Sequence, residues 1–130
     1  GIEFAAFFAT MGTKVTVVEL MPEILPGMDK DISQIVKQEL SGKDVKFILN
    51  SRIVKIDNNN LYTDNKDSAG TEPAMIPFKN LLISVGRKPS VHGIGFENTG
   101  IEYNDSGIKT DVQCRTNVPG IYAAGDVNGI

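Results

Sequence analysis

Hydrophobic residues follow a helical and then an extended pattern over the first twenty positions of the chain. Residues 2–9 are apolar on nearly every side of a helix, which predicts a helix buried against a sheet. Gly12 comes just after the last apolar turn, where a left-handed glycine commonly ends a helix. The β-branched run of residues 14–20 then predicts a buried strand over residues 15–19 that ends in one acid, Glu19.

The next segment predicts a surface connection followed by an amphipathic helix. Residues 21–28 contain two prolines and a glycine, which rule out a continuing strand. Asp29 then stands where a helix N-cap belongs, and Gly42 stands where that helix should end. Between them one face is apolar at helical spacing, formed by Ile32, Ile35, Val36 and Leu40.

From residue 45 the hydrophobic period changes to two, which predicts an antiparallel meander. Its candidate strands are short and lie at residues 45–49, 52–56 and 61–63. Turn-forming residues occupy 57–60, and the polar stretch 63–77 predicts a loose hairpin tip near its middle. Residues 78–85 return to a continuous apolar strand, which ends in Gly86.

The carboxyl-terminal part of the chain is rich in glycine and offers only short strands. A turn is expected at residues 104–107, and a short strand at residues 121–124 runs into Gly125 and Asp126. Taken together, the elements predict an α/β fold in which helices cover a parallel sheet and an antiparallel β-meander is added to it.

Composition excludes several classes of protein. The chain has 130 residues, of which 41% are hydrophobic, enough for one modest core. The net charge of −3 gives no basic surface for nucleic acid or for an anionic membrane. The longest apolar run is far shorter than the ~20 residues that a membrane helix needs. The single cysteine, Cys114, excludes an internal disulfide framework and a cysteine cluster for metal, so a cytoplasmic location is expected.

Glu19 is the first candidate for chemistry. In a nucleotide-binding βαβ unit, an acid at this strand end accepts hydrogen bonds from the adenosine ribose, about 20 residues after the glycine turn. Gly1 stands where the final glycine of a GxGxxG turn is expected, so the first strand and the two earlier glycines are expected upstream. The same pattern occurs in α/β proteins that bind no nucleotide, and on spacing alone both interpretations stay open.

Five stretches, in order along the chain, resemble the pyridine nucleotide–disulfide oxidoreductase family, and most closely its dihydrolipoamide dehydrogenase branch. They are GIEFA, VTVVE, LPGMDKDIS, LLISVGRKP and TNVPGIYAAGD. The resemblance implies that residues 1–88 are a truncated, Rossmann-like NAD-binding domain with the β-meander, lacking its first strand. It implies that residues 89–130 are a connecting segment that leads back to an FAD domain absent from this chain.

The resemblance also implies where the nicotinamide cofactor would be held. Gly1 would be the last glycine of the dinucleotide turn, and Glu19 would bind the adenosine ribose. Glu3 would lie near the nicotinamide end, Ile53 against the adenine and Gly86 beside the nicotinamide riboside. NAD is expected rather than NADP, because Glu19 would repel the extra phosphate and no arginine follows it before Gly27.

A second cofactor is implied by Asp126, since the matching aspartate of the family holds the ribityl chain of FAD. Simpler structural roles stay open for three of these residues: Glu3 suits a helix N-terminus, Ile53 a core position and Asp126 a helix cap. The sequence predicts that Arg87 and Lys88 form a solvated turn. His92 is expected to be a plain surface residue, and Cys114 is expected to have no redox role.

The reaction implied by the resemblance is hydride transfer between NAD and FAD, coupled to dithiol–disulfide exchange. The implied partners are a second subunit, in a homodimer, and the lipoyl domain of a 2-oxoacid dehydrogenase or glycine cleavage complex. The family's CxxxxC pair and catalytic histidine do not occur here, so the chain alone is expected to be inactive. Alternatives are another NAD(P)H-dependent flavoprotein disulfide reductase, an NADH oxidase or a non-catalytic nucleotide-binding module.

The expected loss of the first strand leads to one structural prediction. That strand would lie between residues 15–19 and residues 81–85, and its absence would leave two rows of backbone groups unpaired. Residues 121–124 are short and apolar, and they are predicted to fill the place. They would enter the sheet of their own chain, or the sheet of a second copy, in which case a strand-exchanged dimer would form.

Overall fold

The computed structural model describes residues 1–65 and 73–129, without the side chain of residue 65. The described chain forms two compact units, Gly1–Ser84 and Val85–Ile130. Its architecture is mixed α/β, with one parallel and two antiparallel sheets, as predicted. Within the described residues, no helix combines the length and the apolar character needed to cross a membrane.

The first unit begins with two helices that alternate with two parallel strands. In chain order these elements are α1 (Ile2–Thr10), β1 (Thr16–Val18), α2 (Lys30–Ser41) and β2 (Lys46–Ile48). Thr16 lies opposite Lys46 and Val18 lies opposite Ile48. The Lys46 N–H donates to the Val15 carbonyl and the Glu19 N–H to the Ile48 carbonyl, both at 2.9 Å. The strand predicted over residues 15–19 is therefore confirmed at Thr16–Val18, but its predicted burial is wrong, because its residues are exposed or half-buried.

The predicted end of α1 is also confirmed. Gly12 has a φ of +81°, which glycine adopts without steric cost. Its N–H donates to the Ala9 carbonyl at 2.9 Å, and the Thr13 N–H donates to the Phe8 carbonyl at 3.0 Å. These two bonds form a Schellman motif, which satisfies carbonyls that the end of a helix leaves open.

The predicted burial of α1 is wrong. Ala5 is the buried residue of this helix, whereas Phe4, Phe7 and Phe8 are 54%, 57% and 41% exposed. The physical reason is the size of the parallel sheet, because two strands of three residues cannot cover a nine-residue helix on every side.

The bounds of α2 agree with the prediction, but its apolar face does not. The helix follows Asp29 and ends at Gly42, although the Asp29 side chain makes no capping hydrogen bond. Leu40 and Ser33 are buried, whereas Ile32 and Ile35 are exposed. The reason is the connection before α2, which lies on the Ser33 side of the helix: the Ser33 hydroxyl donates to the Ile24 carbonyl at 2.7 Å, and both residues are buried.

The predicted meander is confirmed for its second and third strands and gains one strand at its end, but the strand predicted at residues 45–49 is not part of it, because β2 pairs in parallel with β1. Its strands are β3 (Ser51–Asp57), β4 (Asn60–Asn65) and β5 (Ala74–Pro77), paired in that order. Asp57 lies opposite Asn60, and Asn58 turns the chain at a φ of +49°. β5 was not predicted from the sequence, because it lies in the polar stretch 63–77 that was expected to form a loop. The middle of that predicted loop, residues 66–72, lies outside the described residues.

The predicted strand over residues 78–85 is wrong. Residues 81–85 have no regular secondary structure, and the apolar side chains among them are exposed, from 39% at Leu81 to 87% at Val85. An apolar run becomes a strand only where a neighbouring strand offers a hydrogen-bonding ladder. No described strand pairs with this segment.

The second unit is small and contains little regular structure. It has a 3-10 turn at Phe96–Asn98, the hairpin β6 (Tyr103–Asn104) with β7 (Gly107–Ile108), and a 3-10 turn at Asp126–Asn128. The hairpin confirms the turn expected at residues 104–107. The buried core of this unit consists of Val91, Ile101, Ile108 and Ala123.

The predicted insertion of residues 121–124 into the first unit's sheet is wrong for this chain. The Thr116 N–H donates to the Ile121 carbonyl, and the Ala123 N–H donates to the Cys114 carbonyl, both at 3.0 Å. Residues 121–124 thus pair with a segment a few positions earlier, and closing so short a loop costs little entropy. Exchange of this strand between two copies stays a prediction.

Candidate functional site

Glu19 lies at the carboxyl end of β1, which is the edge where parallel α/β sheets bind ligands. Its backbone N–H donates to Ile48, and its carbonyl accepts the N–H of Ser51 at 3.0 Å. Its half-buried side chain accepts the Met21 N–H at Oε1, at 3.0 Å. A carboxylate has acceptor sites beyond the one that Met21 uses, so Glu19 can still accept hydrogen bonds from a diol.

Ile53 lies in the strand that starts beside Glu19. The Asn50 N–H donates to the Met21 carbonyl at 3.1 Å, which ties the start of β3 to the loop that follows Glu19. Ile53 is two residues beyond Ser51 and is 41% exposed, so its interpretation as a core residue is wrong. An exposed apolar side chain in this place is available to the flat face of a ligand ring.

Gly1 and Glu3 lie at the amino end of α1. A Cβ at Gly1 would come within 3.3 Å of the Ser84 hydroxyl oxygen, so a side chain at this position would crowd Ser84. Glu3 is exposed in the first turn of α1, where its charge complements the helix dipole. It also borders a cavity of about 410 Å³ whose walls are almost entirely apolar and come from α1, α2 and Leu25.

Gly86 and Asp126 both belong to the second unit. Gly86 has a φ of +123°, a conformation that residues with a side chain rarely adopt. The next residue, Arg87, pairs with Asp126: the guanidinium Nη1 lies 2.7 Å from Oδ2 of the carboxylate. The predicted solvated turn at Arg87 is correct in exposure but missed this ion pair. No local pattern could have shown it, because the two residues are 39 positions apart.

Arg87 and Asp126 border a cavity of about 330 Å³. Its remaining lining residues are Lys88, Pro89, Asp105, Ser106 and Gly129. Asp126 is the first residue of its 3-10 turn, and Gly125 occupies the cap position, so the interpretation of Asp126 as a helix cap is wrong. The cavity combines two cations with two carboxylates, a donor and acceptor set that suits a ligand with both hydroxyl and phosphate groups.

His92 and Cys114 are not part of this cavity's lining. His92 is exposed, as predicted, and its ring lies 3.3 Å from the Asp105 carboxylate and edge-on to Tyr103. Cys114 has a φ of +61° in a turn that Asp111 orders. The Asp111 carboxylate accepts the N–H groups of Arg115 and Gln113, each at 2.9 Å, and the bond from Arg115 chiefly lowers the Asp111 pKa below 3.8. These bonds are complete above pH 3.8 and weaken as the pH falls through the lowered pKa.

Comparison with known proteins places the chain in a family. All 130 residues match the family of pyridine nucleotide-disulphide oxidoreductases, and the chain belongs to that family. It is 35% identical to the dihydrolipoyl dehydrogenase of Chlorobaculum tepidum, covering 99% of this chain and 28% of that protein. It is 37% identical to the dihydrolipoyl dehydrogenase of Acholeplasma laidlawii, covering 99% of this chain and 37% of that protein.

Solved structures show the same relationship. The HOCl-induced flavoprotein disulfide reductase RclA from Escherichia coli, in its Cu(II) complex, matches with a TM-score of 0.75 and 32% identity. That match covers 99% of this chain and 29% of the reductase. A ferredoxin reductase from Rhodopseudomonas palustris matches with a TM-score of 0.77 and 26% identity, over 97% of this chain and 30% of that protein. The chain therefore spans well under half the length of each of these relatives.

Proposed function

We propose that this chain is the NAD-binding part of a flavin-dependent dihydrolipoyl dehydrogenase. Relatives with that name are 35% and 37% identical over 99% of the chain, which supports the assignment. The observation that carries the proposal is the carboxylate of Glu19, held at the carboxyl end of β1 by a hydrogen bond from Met21. The proposed reaction is hydride transfer between NAD and FAD, coupled to dithiol–disulfide exchange with a dihydrolipoyl group.

The residues of the first unit fit an adenosine ribose. The Glu19 carboxylate can accept hydrogen bonds from both ribose hydroxyls, whereas it would repel a phosphate on that ribose. Ile53 provides exposed apolar surface in the neighbouring strand. We assign Gly1 to the phosphate-binding turn, and we assign Glu3 and Gly86 to the nicotinamide side of NAD.

The residues of the second unit fit a segment of FAD. The Asp126 carboxylate can accept hydrogen bonds from ribityl hydroxyls, while Lys88 supplies positive charge for a diphosphate in the same cavity. When bound, the flavin supplies the redox chemistry. The task that we propose for this chain is to bind and orient the two cofactors, and the full-length protein would act as a homodimer on a lipoyl domain.

A second candidate function is supported by one of the structural matches. The RclA reductase from Escherichia coli is a flavoprotein disulfide reductase, and it matches this chain with a TM-score of 0.75 and 32% identity. A flavoprotein disulfide reductase with a different disulfide substrate would use the same Glu19 and Asp126. The two candidates differ in their substrate and not in the residues of this chain.

The proposed activity can be tested on the full-length protein. We expect the purified protein to contain FAD and to reduce NAD with dihydrolipoamide as the electron donor. Absorption of the flavin measures the first property, and NADH formation at 340 nm measures the second. A flavoprotein that does not react with dihydrolipoamide, but that oxidises NADH with another disulfide as the electron acceptor, would support the second candidate. A protein without FAD and without NAD binding would contradict both candidates.

The 130-residue chain on its own is expected to bind NAD weakly and to be inactive. Gly1 is the one glycine of the expected phosphate-binding turn that the chain contains, so few backbone N–H groups remain to bind the diphosphate. We expect calorimetric titration with NAD to give no heat of binding at micromolar concentrations. A micromolar dissociation constant would contradict this prediction and would show that the adenosine side of the site is sufficient.

A further inference from the structure

The ion pair between Arg87 and Asp126 points to a role for Arg87 that the sequence did not suggest. We propose that Arg87 is a positioning residue, which holds the Asp126 carboxylate at the cavity wall so that it accepts hydrogen bonds from a polyhydroxylated chain. This inference rests on the proposed function, under which that chain is the ribityl segment of FAD. Arg87 acts through Asp126 and needs no flavin contact of its own.

The backbone under Asp126 is held firmly by close packing. A Cβ at Gly107 would lie 2.6 Å from the Val127 carbonyl oxygen, so the hairpin of β6 and β7 contacts the 3-10 turn backbone to backbone. The Asn128 side-chain amide donates to the Ala123 carbonyl at 3.0 Å. These contacts fix where the Asp126 side chain starts, but they do not fix its rotamer.

Arg87 donates a hydrogen bond that can hold the Asp126 carboxylate in one orientation. Within residues 85–129, the Asp126 carboxylate accepts a hydrogen bond from Arg87 and none from a backbone N–H. The Asp126 side chain is 70% exposed and the Arg87 side chain is 85% exposed. Exposed ion pairs stabilise a fold very little, so the test of this pair is its effect on FAD binding and not on the stability of the unit.

The ion pair also suits the chemistry of the ligand. Arg87 binds Oδ2, which leaves Oδ1 as the acceptor that can face a hydroxyl group. The guanidinium charge offsets the carboxylate charge, so a ligand that carries both hydroxyl groups and a diphosphate meets less repulsion at the cavity. Lys88 borders the same cavity and adds a second positive charge.

The test is a double-mutant cycle in the full-length flavoprotein. The apoproteins of the wild type, Arg87→Gln, Asp126→Asn and the double variant are titrated with FAD, and quenching of flavin fluorescence gives the dissociation constant. We expect each single variant to raise the dissociation constant roughly tenfold, which is the range for losing a charge-assisted hydrogen bond. The double variant should bind FAD no more weakly than Asp126→Asn alone, because Arg87 acts through Asp126.

A matched control separates orientation from general loss of charge. Lys109 forms an exposed ion pair with Glu102 at 3.2 Å in the same unit, and it does not line the cavity. Lys109→Gln should leave the FAD dissociation constant within twofold of wild type. Arg87→Lys should recover part of the affinity lost in Arg87→Gln, since an ammonium can donate one hydrogen bond to Oδ2. Thermal unfolding of each apoprotein shows whether the variants are folded.

The other possible results show whether the role of Arg87, or the assignment of Asp126 to FAD, is wrong. If the losses of the two single variants multiply in the double variant, Arg87 contacts the flavin itself and the positioning role is wrong. If Asp126→Asn weakens FAD binding and Arg87→Gln does not, the inference fails while the proposed function stands. If Asp126→Asn has no effect, the assignment of Asp126 to FAD fails, and the inference fails with it.

Discussion

Replacement of Glu19 by alanine in the full-length protein is expected to weaken NAD binding by about 1–3 kcal/mol, the range for a hydrogen bond that involves a charged group. The same change should relax the rejection of NADP, because the charge that repels its extra phosphate is gone. The ratio of kcat/KM for NAD to that for NADP should therefore fall. Steady-state kinetics with both nucleotides measure this ratio directly.

Two further variants make the result specific to the ribose contact. Asp31→Ala removes an exposed acid from α2 in the same unit, away from the cavity that Glu3 borders, and should leave the ratio unchanged. Glu19→Gln keeps the shape of the side chain and removes its charge, so it should accept NADP better than the wild type while keeping part of the affinity for NAD. An unchanged NAD/NADP ratio in Glu19→Ala would show that Glu19 is not the ribose acceptor.

Replacement of Gly107 by alanine is expected to destabilise the second unit severely. Gly107 has a φ of +125°, where a residue with a Cβ is strained by about 1–3 kcal/mol. The new Cβ would also lie 2.6 Å from the Val127 carbonyl oxygen, and relieving such overlap costs about another 1–3 kcal/mol. The hairpin and the turn that carries Asp126 should separate. Denaturant unfolding and hydrogen exchange of residues 107–108 measure the loss.

Gly100 provides the control for backbone strain alone. Its φ is +73°, and a Cβ placed there would meet no atom within 4 Å. Gly100→Ala should therefore cost about 1–2 kcal/mol, the cost of the left-handed conformation without a steric overlap. If Gly100→Ala and Gly107→Ala destabilised the protein equally, the contact between the hairpin and the 3-10 turn would contribute nothing.

The candidate site was predictable from the sequence where it depends on local order. Glu19 follows a β-branched run and precedes a proline-rich connection, so its place at a strand end can be read from its neighbours. Gly86 was predicted to end a strand that the structure does not contain, so its φ of +123° was not predicted. The bond from the Met21 N–H to Glu19 was not predictable, because it depends on how the connection folds back over the strand end.

Local elements of the fold were determined by the sequence in the same way. Gly12 ends α1 and Asn58 turns the meander, each at a positive φ that suits its residue type. Asp29 and Gly42 bound α2 as predicted, although Asp29 makes no side-chain cap and Gly42 has an ordinary right-handed conformation. Burial was not determined locally. The aromatic residues of α1 and the apolar residues at 81–85 are exposed, since burial and strand pairing need a surface supplied by other parts of a structure.

The sequence by itself therefore determined the order and the bounds of most elements, and through its motifs the family to which the chain belongs. Only the tertiary structure decided that residues 121–124 pair with their neighbours at 114–116, and that Arg87 meets Asp126 across 39 positions. The physical reason is the range of the interactions. The hydrogen bonds of helix caps and turns join residues a few positions apart. The hydrogen bonds between strands, and ion pairs, can join segments that are far apart in the sequence and meet only in the folded chain.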